Sequence, residues 1–251
     1  MRVRGFRWIV VGVILAIGLY LALDVVALQY LESRGATELA RAMTAEEAKV
    51  DLGSIPFLPG FIGGRISRAE VDVRGASGAG GLRVQNVKAR MTDLRFNWRD
   101  LLALSRSIFS TRTTVRMKDP LGMVEIGQDD LGEFLKRHVP MVGSVLIDSS
   151  GIEVKFLKER LPAGEEPTQE DLTEAARLLP RVADGRIVLT LVGVSQIPPE
   201  LRPRANRLEQ VISLPRIPEG LRTDVRLGDR VFVVEANGTE VELTIGEGSE
   251  G

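Results

Sequence analysis

"RAEVDVR", Arg68 to Arg74, sets Ala69, Val71 and Val73 against Arg68, Glu70, Asp72 and Arg74. Strand side chains alternate between two faces, so one apolar and one charged set at period two reads as a half-buried antiparallel strand. The same alternation returns in "TTVRMKD", "GMVEI", "SVLID", "GIEVKF", "GRIVLTLVGV", "LRTDVRL", "RVFVVEA" and "TEVELTI". In "GLRVQNVKARMTDLRF", Leu82 and Val84 hold one phase and Val87, Ala89 and Met91 the other, which predicts a β-bulge at Gln85–Asn86. "LGDRV" at Gly228–Asp229 and "EANGTE" at Asn237–Gly238 predict two hairpin turns. "RGASGAGG" is a flexible strand connection, with no Gly-Lys-Ser/Thr phosphate loop in it or elsewhere.

Just ahead of this strand lies "VDLGSIPFLPGFIGGRIS", Val50 to Ser67. It carries Ile55, Phe57, Leu58, Phe61 and Ile62, yet Pro56, Pro59, Gly60, Gly63 and Gly64 argue against a regular helix or a central strand. A loop-like segment with five large apolar side chains either plugs the end of a core or meets an apolar ligand.

Helical spacing appears in "LQYLESRGATELARAM", "NWRDLLALSRSI", "GQDDLGEFLKRHVP" and "TQEDLTEAARLLP". The second would bury Leu101, Leu104 and Ile108, and the third Leu131, Phe134 and Leu135. The fourth opens on a Thr168-x-x-Asp171 capping box and ends at Pro180. Strands and helices together give an α+β class. "KERLPAGEEPTQED" is an insertion within one domain, because the same alternation resumes beyond it.

The N-terminus reads as an address. Arg2, Arg4 and Arg7 precede an uncharged run from Trp8 to Leu23. Its sixteen residues cover about 24 Å, short of a ~30 Å hydrocarbon core, and extending it to Leu28 gives about 31 Å with Asp24 reaching headgroups. Cations ahead of the run predict a single-pass protein with a cytoplasmic N-terminus and its bulk extracytoplasmic. A cleaved signal peptide at "VVA" competes with the uncleaved anchor and gives the same side. The expected division is an anchor or signal over 1–30, one extracytoplasmic domain over 31–246 and a disordered tail over 247–251.

Composition narrows the function classes. Lys plus Arg total 33 and Asp plus Glu 34, so no basic excess favours nucleic acid as a partner. Cysteine is absent, which excludes disulfides and thiolate chemistry. The single histidine, His138, ends a helix, where its cationic form suits the dipole. No serine sits in a Gly-x-Ser-x-Gly elbow, and the acidic pairs Glu46–Glu47, Asp129–Asp130 and Glu165–Glu166 fall at helix starts or in polar loops. The sequence therefore predicts no catalytic centre, metal or cofactor. A curled sheet could instead enclose a hollow apolar interior for acyl chains, each buried CH₂ contributing about 0.8 kcal/mol. The competing expectation is a solid core without a cavity.

Three segments resemble the LmeA-type phospholipid-binding family, once a domain of unknown function. They are "SIPFLPGFIGGRISRAEVDV", "GMVEIGQDDLGEFL" and "SLPRIPEGLRTDVRLGDRVFVVEANGTEVEL". The matching positions are Pro56, Phe57 and Leu58 in the first and Asp130 and Leu131 in the second. The resemblance implies a fold similar to the tubular lipid-binding (TULIP-like) superfamily, a curved antiparallel sheet wrapped about a long helix. It also implies binding of a phospholipid or other acyl lipid at a membrane, in cell-envelope biogenesis. Pro59, Gly60 and Phe61 depart from it by lengthening the apolar loop. From apolarity, Phe57, Leu58, Phe61 and Ile62 are expected at the mouth of the site, with Leu131, Phe134 and Leu135 below. A non-enzymatic scaffold for protein partners, and a hydrolase built on two distant carboxylates, are the alternative functions.

Overall fold

The computed structural model describes residues 3–53, 56–77, 81–97, 113–139, 141–158, 167–172, 176–183, 186–192, 199, 202, 203, 208 and 220–245. Helix α1, Val3–Ala42, leads into strand β1, Glu47–Asp51, and short helix α2, Phe57–Ile62. Next come β2, Arg65–Ser77, β3, Arg83–Arg95, and β4, Thr113–Gly127, followed by helix α3, Gln128–His138. Strands β5, Val142–Asp148, and β6, Gly151–Phe156, precede a single 3₁₀ turn over Gln169–Asp171. The chain closes with β7, Ala176–Ala183, β8, Arg186–Val192, β9, Arg222–Leu227, β10, Val231–Asn237, and β11, Glu240–Ile245.

The strands form two antiparallel sheets. The first runs β1-β2-β3-β4-β10-β9, with β11 also on β4, and the second runs β5-β6-β7-β8. Between them lies one contiguous core. Val73, Ala76, Leu82, Val84, Ile126, Phe232 and Val234 of the first sheet meet Val145, Ile147, Ile152, Val154, Phe156, Leu178 and Leu189 of the second. Leu131, Phe134 and Leu135 of α3 complete it.

The architecture corrects the expected fold. The described residues are mostly antiparallel sheet with few helices, and no helix among them is wrapped inside a curved sheet. The position such a helix would take is occupied by the second sheet and α3. Helix α1 instead lies against the edge strand β1, where a Cβ on Gly35 would meet Val50 at 3.8 Å.

The expected membrane span is overturned too. Among the described residues no helix is long and apolar enough to cross a membrane. The longer span required Asp24 to sit among headgroups. It is instead 1 % exposed, and its carboxylate accepts the backbone N–H groups of Phe57 (2.8 Å) and Leu58 (2.6 Å). A charge used inside the fold cannot also mark a membrane surface, and the shorter run falls below the hydrocarbon thickness. The orientation inferred from that span, cytoplasmic N-terminus and extracytoplasmic bulk, goes with it.

Local departures have local causes. Phe57–Ile62 is helical despite Pro59, which falls in the first turn where its missing N–H costs nothing. The capping box forms, Asp171 accepting from the Thr168 backbone (2.9 Å) and hydroxyl (2.5 Å). It starts one 3₁₀ turn and no helix, because Ala176–Ala183 pairs as a strand. Pro180 is tolerated there, since β6 pairs β7 only as far as Leu178. "LGDRV" makes its hairpin between β9 and β10. Asn237–Gly238 does not: β10 and β11 both pair with β4, in succession. The break between them sits opposite Asp119 and Pro120, where Gly238 donates to the Pro120 carbonyl (3.1 Å) and Thr239 accepts from Asp119 (3.0 Å). The phase slip in β3 is met by a gap in the β2–β3 ladder at Gly75 and Gln85, Gly75 taking φ 62°. Register resumes unchanged, and Val73, Ala76, Val84 and Val87 all reach one core. The helix expected at Leu101, Leu104 and Ile108 lies outside the described residues.

Candidate functional site

Helix α1 follows the long dimension of the first sheet. At one end Asp24 holds α2, beside the start of β2. Midway, Glu32 Oε1 accepts from Leu52 N (2.8 Å), and at the far end the Met43 carbonyl accepts from Ser77 N (2.9 Å). Nineteen residues of helix, Asp24 to Ala42, rise about 29 Å. That nearly matches the ~33 Å spanned by β2 from Ile66 to Ala76.

Between helix and strands lies a groove of about 840 Å³. Its helical wall is Gln29, Glu32, Ser33 and Ala36, and Ala48, Val50, Val71, Ala89, Leu121 and Met123 supply apolar surface from β1 to β4. A second hollow of about 650 Å³ adjoins it along the α1–β1 seam, sharing Ala36 and Ala48. The volume falls within the ~300–1,000 Å³ typical of ligand pockets.

Side-chain size explains why the groove stays open. One cross-strand row reads Ala48, Val73, Val87, Val124, Val234 and Val225, a valine ladder that joins or packs against the core. Two residues along, the equivalent row reads Val50, Val71, Ala89, Gly122 and Ala236. A Cβ built on Gly122 would meet only the Ala236 carbonyl, at 3.9 Å.

The groove also carries charge. Lys49 pairs with Glu47 (3.1 Å) and Arg90 with Glu70 (3.3 Å). The hydrogen bond and proximity of Lys49 hold the Glu47 carboxyl below its ordinary value. Lys88, between Asp72 and Met123 in register, has no carboxylate within 4 Å among the described residues. Alternation turns its side chain to the face opposite Ala89.

The residues expected to bind lipid fall into two separated groups. Phe57, Leu58, Phe61 and Ile62 all lie on α2. Phe57 is fully buried, Leu58 and Phe61 are half-buried, and Ile62 is 62 % exposed. Phe61 stacks on Phe57 (5.2 Å) and contacts Phe96 (5.7 Å). Leu131, Phe134 and Leu135 are buried in the core on α3, which sits at the opposite end of β2 and β3, where Arg137 reaches the Gly81 carbonyl. The structure does not bring the two groups together, and neither lines the groove. The groove residues eluded sequence reading because Val71 and Ala89 look like ordinary strand residues. Only the register of three strands reveals them, with Val50, as one row.

The sequence matches the LmeA-like phospholipid-binding family over residues 22–244. No match was found among curated proteins or among solved structures. The stretch matched takes in the second half of α1, both sheets and the groove between helix and strands, so the chain belongs to the LmeA-like phospholipid-binding family.

Proposed function

We propose that this protein holds a phospholipid with its acyl chains in the groove between α1 and the middle of the first sheet, and acts without covalent chemistry as a carrier in cell-envelope biogenesis. The observation that carries the reading is the small-residue row under α1, an open apolar trough in a chain of a phospholipid-binding family. Acyl chains need area and little direction, each buried CH₂ contributing about 0.8 kcal/mol. Leu131, Phe134 and Leu135 are already filled core, so chain contact falls to Ala36, Val50, Val71 and Ala89. Phe61 and Ile62 stand at the α2 end, beyond the groove.

Native mass spectrometry of the full chain, purified without exchange into lipid-mimetic detergent, tests this. A mass increment matching a two-chain phospholipid is expected. A chain that carries no lipid, and takes none up from vesicles, defeats the reading.

A further inference from the structure

The α2 end of the first sheet holds an arrangement that folding alone does not favour. Arg65, Arg95 and Arg116 are direct register neighbours on β2, β3 and β4. Like charges opposite one another destabilise a sheet. Their relief is partial. Asp93 accepts from Arg65 Nε (2.5 Å) and Arg95 (3.0 Å) and lies 3.6 Å from Lys118 Nζ. Glu242 takes Arg116 (2.6 Å), and Asp119 is engaged by the Thr92 hydroxyl. One carboxylate thus serves three cations. It is also the lower layer: the Asp93 side chain is 14 % exposed, whereas Arg65, Arg95 and Lys118 are 60 %, 58 % and 50 % exposed. The cations face outward with a net positive excess.

Apolar surface joins them. Ile62 leads through Gly63 and Gly64 directly into Arg65, and Phe96 N donates to the Gly64 carbonyl (2.9 Å). Through Asp24, α2 is fastened to α1, whose residues 19–23, 25 and 26 are exposed beside it. Of the twelve exposed large apolar side chains among the described residues, six belong to residues 19–26 and one is Ile62. More than half of these side chains thus collect at the end that carries the cation cluster.

We propose that this end is a docking surface for an anionic phospholipid bilayer, lying on the membrane with Ile62 at the acyl boundary and Arg65, Arg95 and Lys118 at the phosphates. The inference rests on the lipid-carrying reading and adds the place where lipid would enter. Cations beside exposed apolar side chains are what an interfacial contact requires. The contact is peripheral, because it uses the end of a sheet and one short helix.

Vesicle co-sedimentation of the full chain tests it, with phosphatidylcholine vesicles and with phosphatidylcholine vesicles containing one-third phosphatidylglycerol. The unmodified chain should prefer the anionic vesicles at low salt and lose that preference as salt rises. R65Q/R95Q/K118Q should bind anionic vesicles at least tenfold more weakly and neutral ones unchanged. Ile62→Asp should weaken binding to both. R177Q/R181Q/R222Q removes equal charge elsewhere and should retain the preference. Far-ultraviolet circular dichroism establishes that each variant is folded, and Ile62→Asp keeps the test decisive if the triple variant is not. Equal binding to both vesicle types, equal losses in the two triple variants, or a cluster variant that alters self-association in place of vesicle binding would each overturn the docking surface. A chain that carries lipid by mass spectrometry but sediments equally with both vesicles loses this inference alone. A chain that carries none loses the reading beneath it.

Discussion

The core around α3 and the groove under α1 are built from the same strands, a few residues apart, and behave oppositely. Toward α3, the valine ladder through Val73, Val87, Val124 and Val234 meets a second sheet and is sealed. Toward the middle, the row through Val50, Val71 and Ala89 meets the flank of one helix and stays open. Both rows satisfy the rule of apolar alternation. What separates them is side-chain volume and whatever covers the face, so hydrophobicity alone does not distinguish a core from a binding site.

The sharpest way to break this comparison is to truncate the sealed end. Phe134→Ala or Leu135→Ala leaves a cavity among atoms that cannot collapse, and should cost about 3–5 and 2–5 kcal/mol, respectively. Urea unfolding reads both. A loss below about 1 kcal/mol would mean that this end is not filled.

Next comes the fastening of α1. Asp24→Ala removes the acceptor of two N–H groups at the start of α2, whose preceding Pro56 provides no side-chain cap. Leaving those donors unpaired should cost about 1–3 kcal/mol, and Asp24→Asn should recover part, since its carbonyl accepts one bond. The same unfolding experiment decides, and an unchanged midpoint in Asp24→Ala would separate α1 from the folded unit.

Filling the open end should reverse the pattern. Ala89→Leu adds volume where the groove is open, so stability should move by no more than about 1 kcal/mol. Lipid occupancy by native mass spectrometry should fall several-fold. Full occupancy in this variant would move the lipid out of the groove.

Much of the sheet was legible because alternation survives wherever one face is buried. "RAEVDVR", "SVLID", "GIEVKF" and "RVFVVEA" lie within the β2, β5, β6 and β10 regions. Periodicity also found α3 through Leu131, Phe134 and Leu135, but it could not say whether they face a core or a ligand. Pairing was less legible. Asn237–Gly238 has hairpin chemistry, yet its strands continue along β4, because Pro120 interrupts that strand opposite the turn. The Thr168 capping box was real but local, and strand pairing by Leu178 and Leu191 overrode the helical spacing beyond it. Asp24 misled most: its position suggested a membrane edge, whereas its partner lies thirty-three residues away in sequence.

The smallest expected effect concerns the charged end of the open half. Hydrogen bonds from Arg95 and Arg65, with the charges of both, hold the Asp93 carboxyl below its ordinary value despite opposing desolvation. A carboxylate depressed in the folded state binds fewer protons there than when unfolded, so stability rises with pH across the interval between the two values. The contribution is complete above the unfolded value near 3.9 and disappears as pH falls through the folded one. It is modest, because the partnering cations are more than half exposed and solvent screens them. Asp93→Asn removes the titration, so its unfolding midpoint should lie below that of the unmodified chain at pH 6, with the gap closing below about pH 4. The sealed end offers no comparable behaviour, as its side chains are apolar. A gap that stays constant down to acid unfolding would mean that Asp93 is not the counter-charge of the cluster, and the three cations would then stand unrelieved.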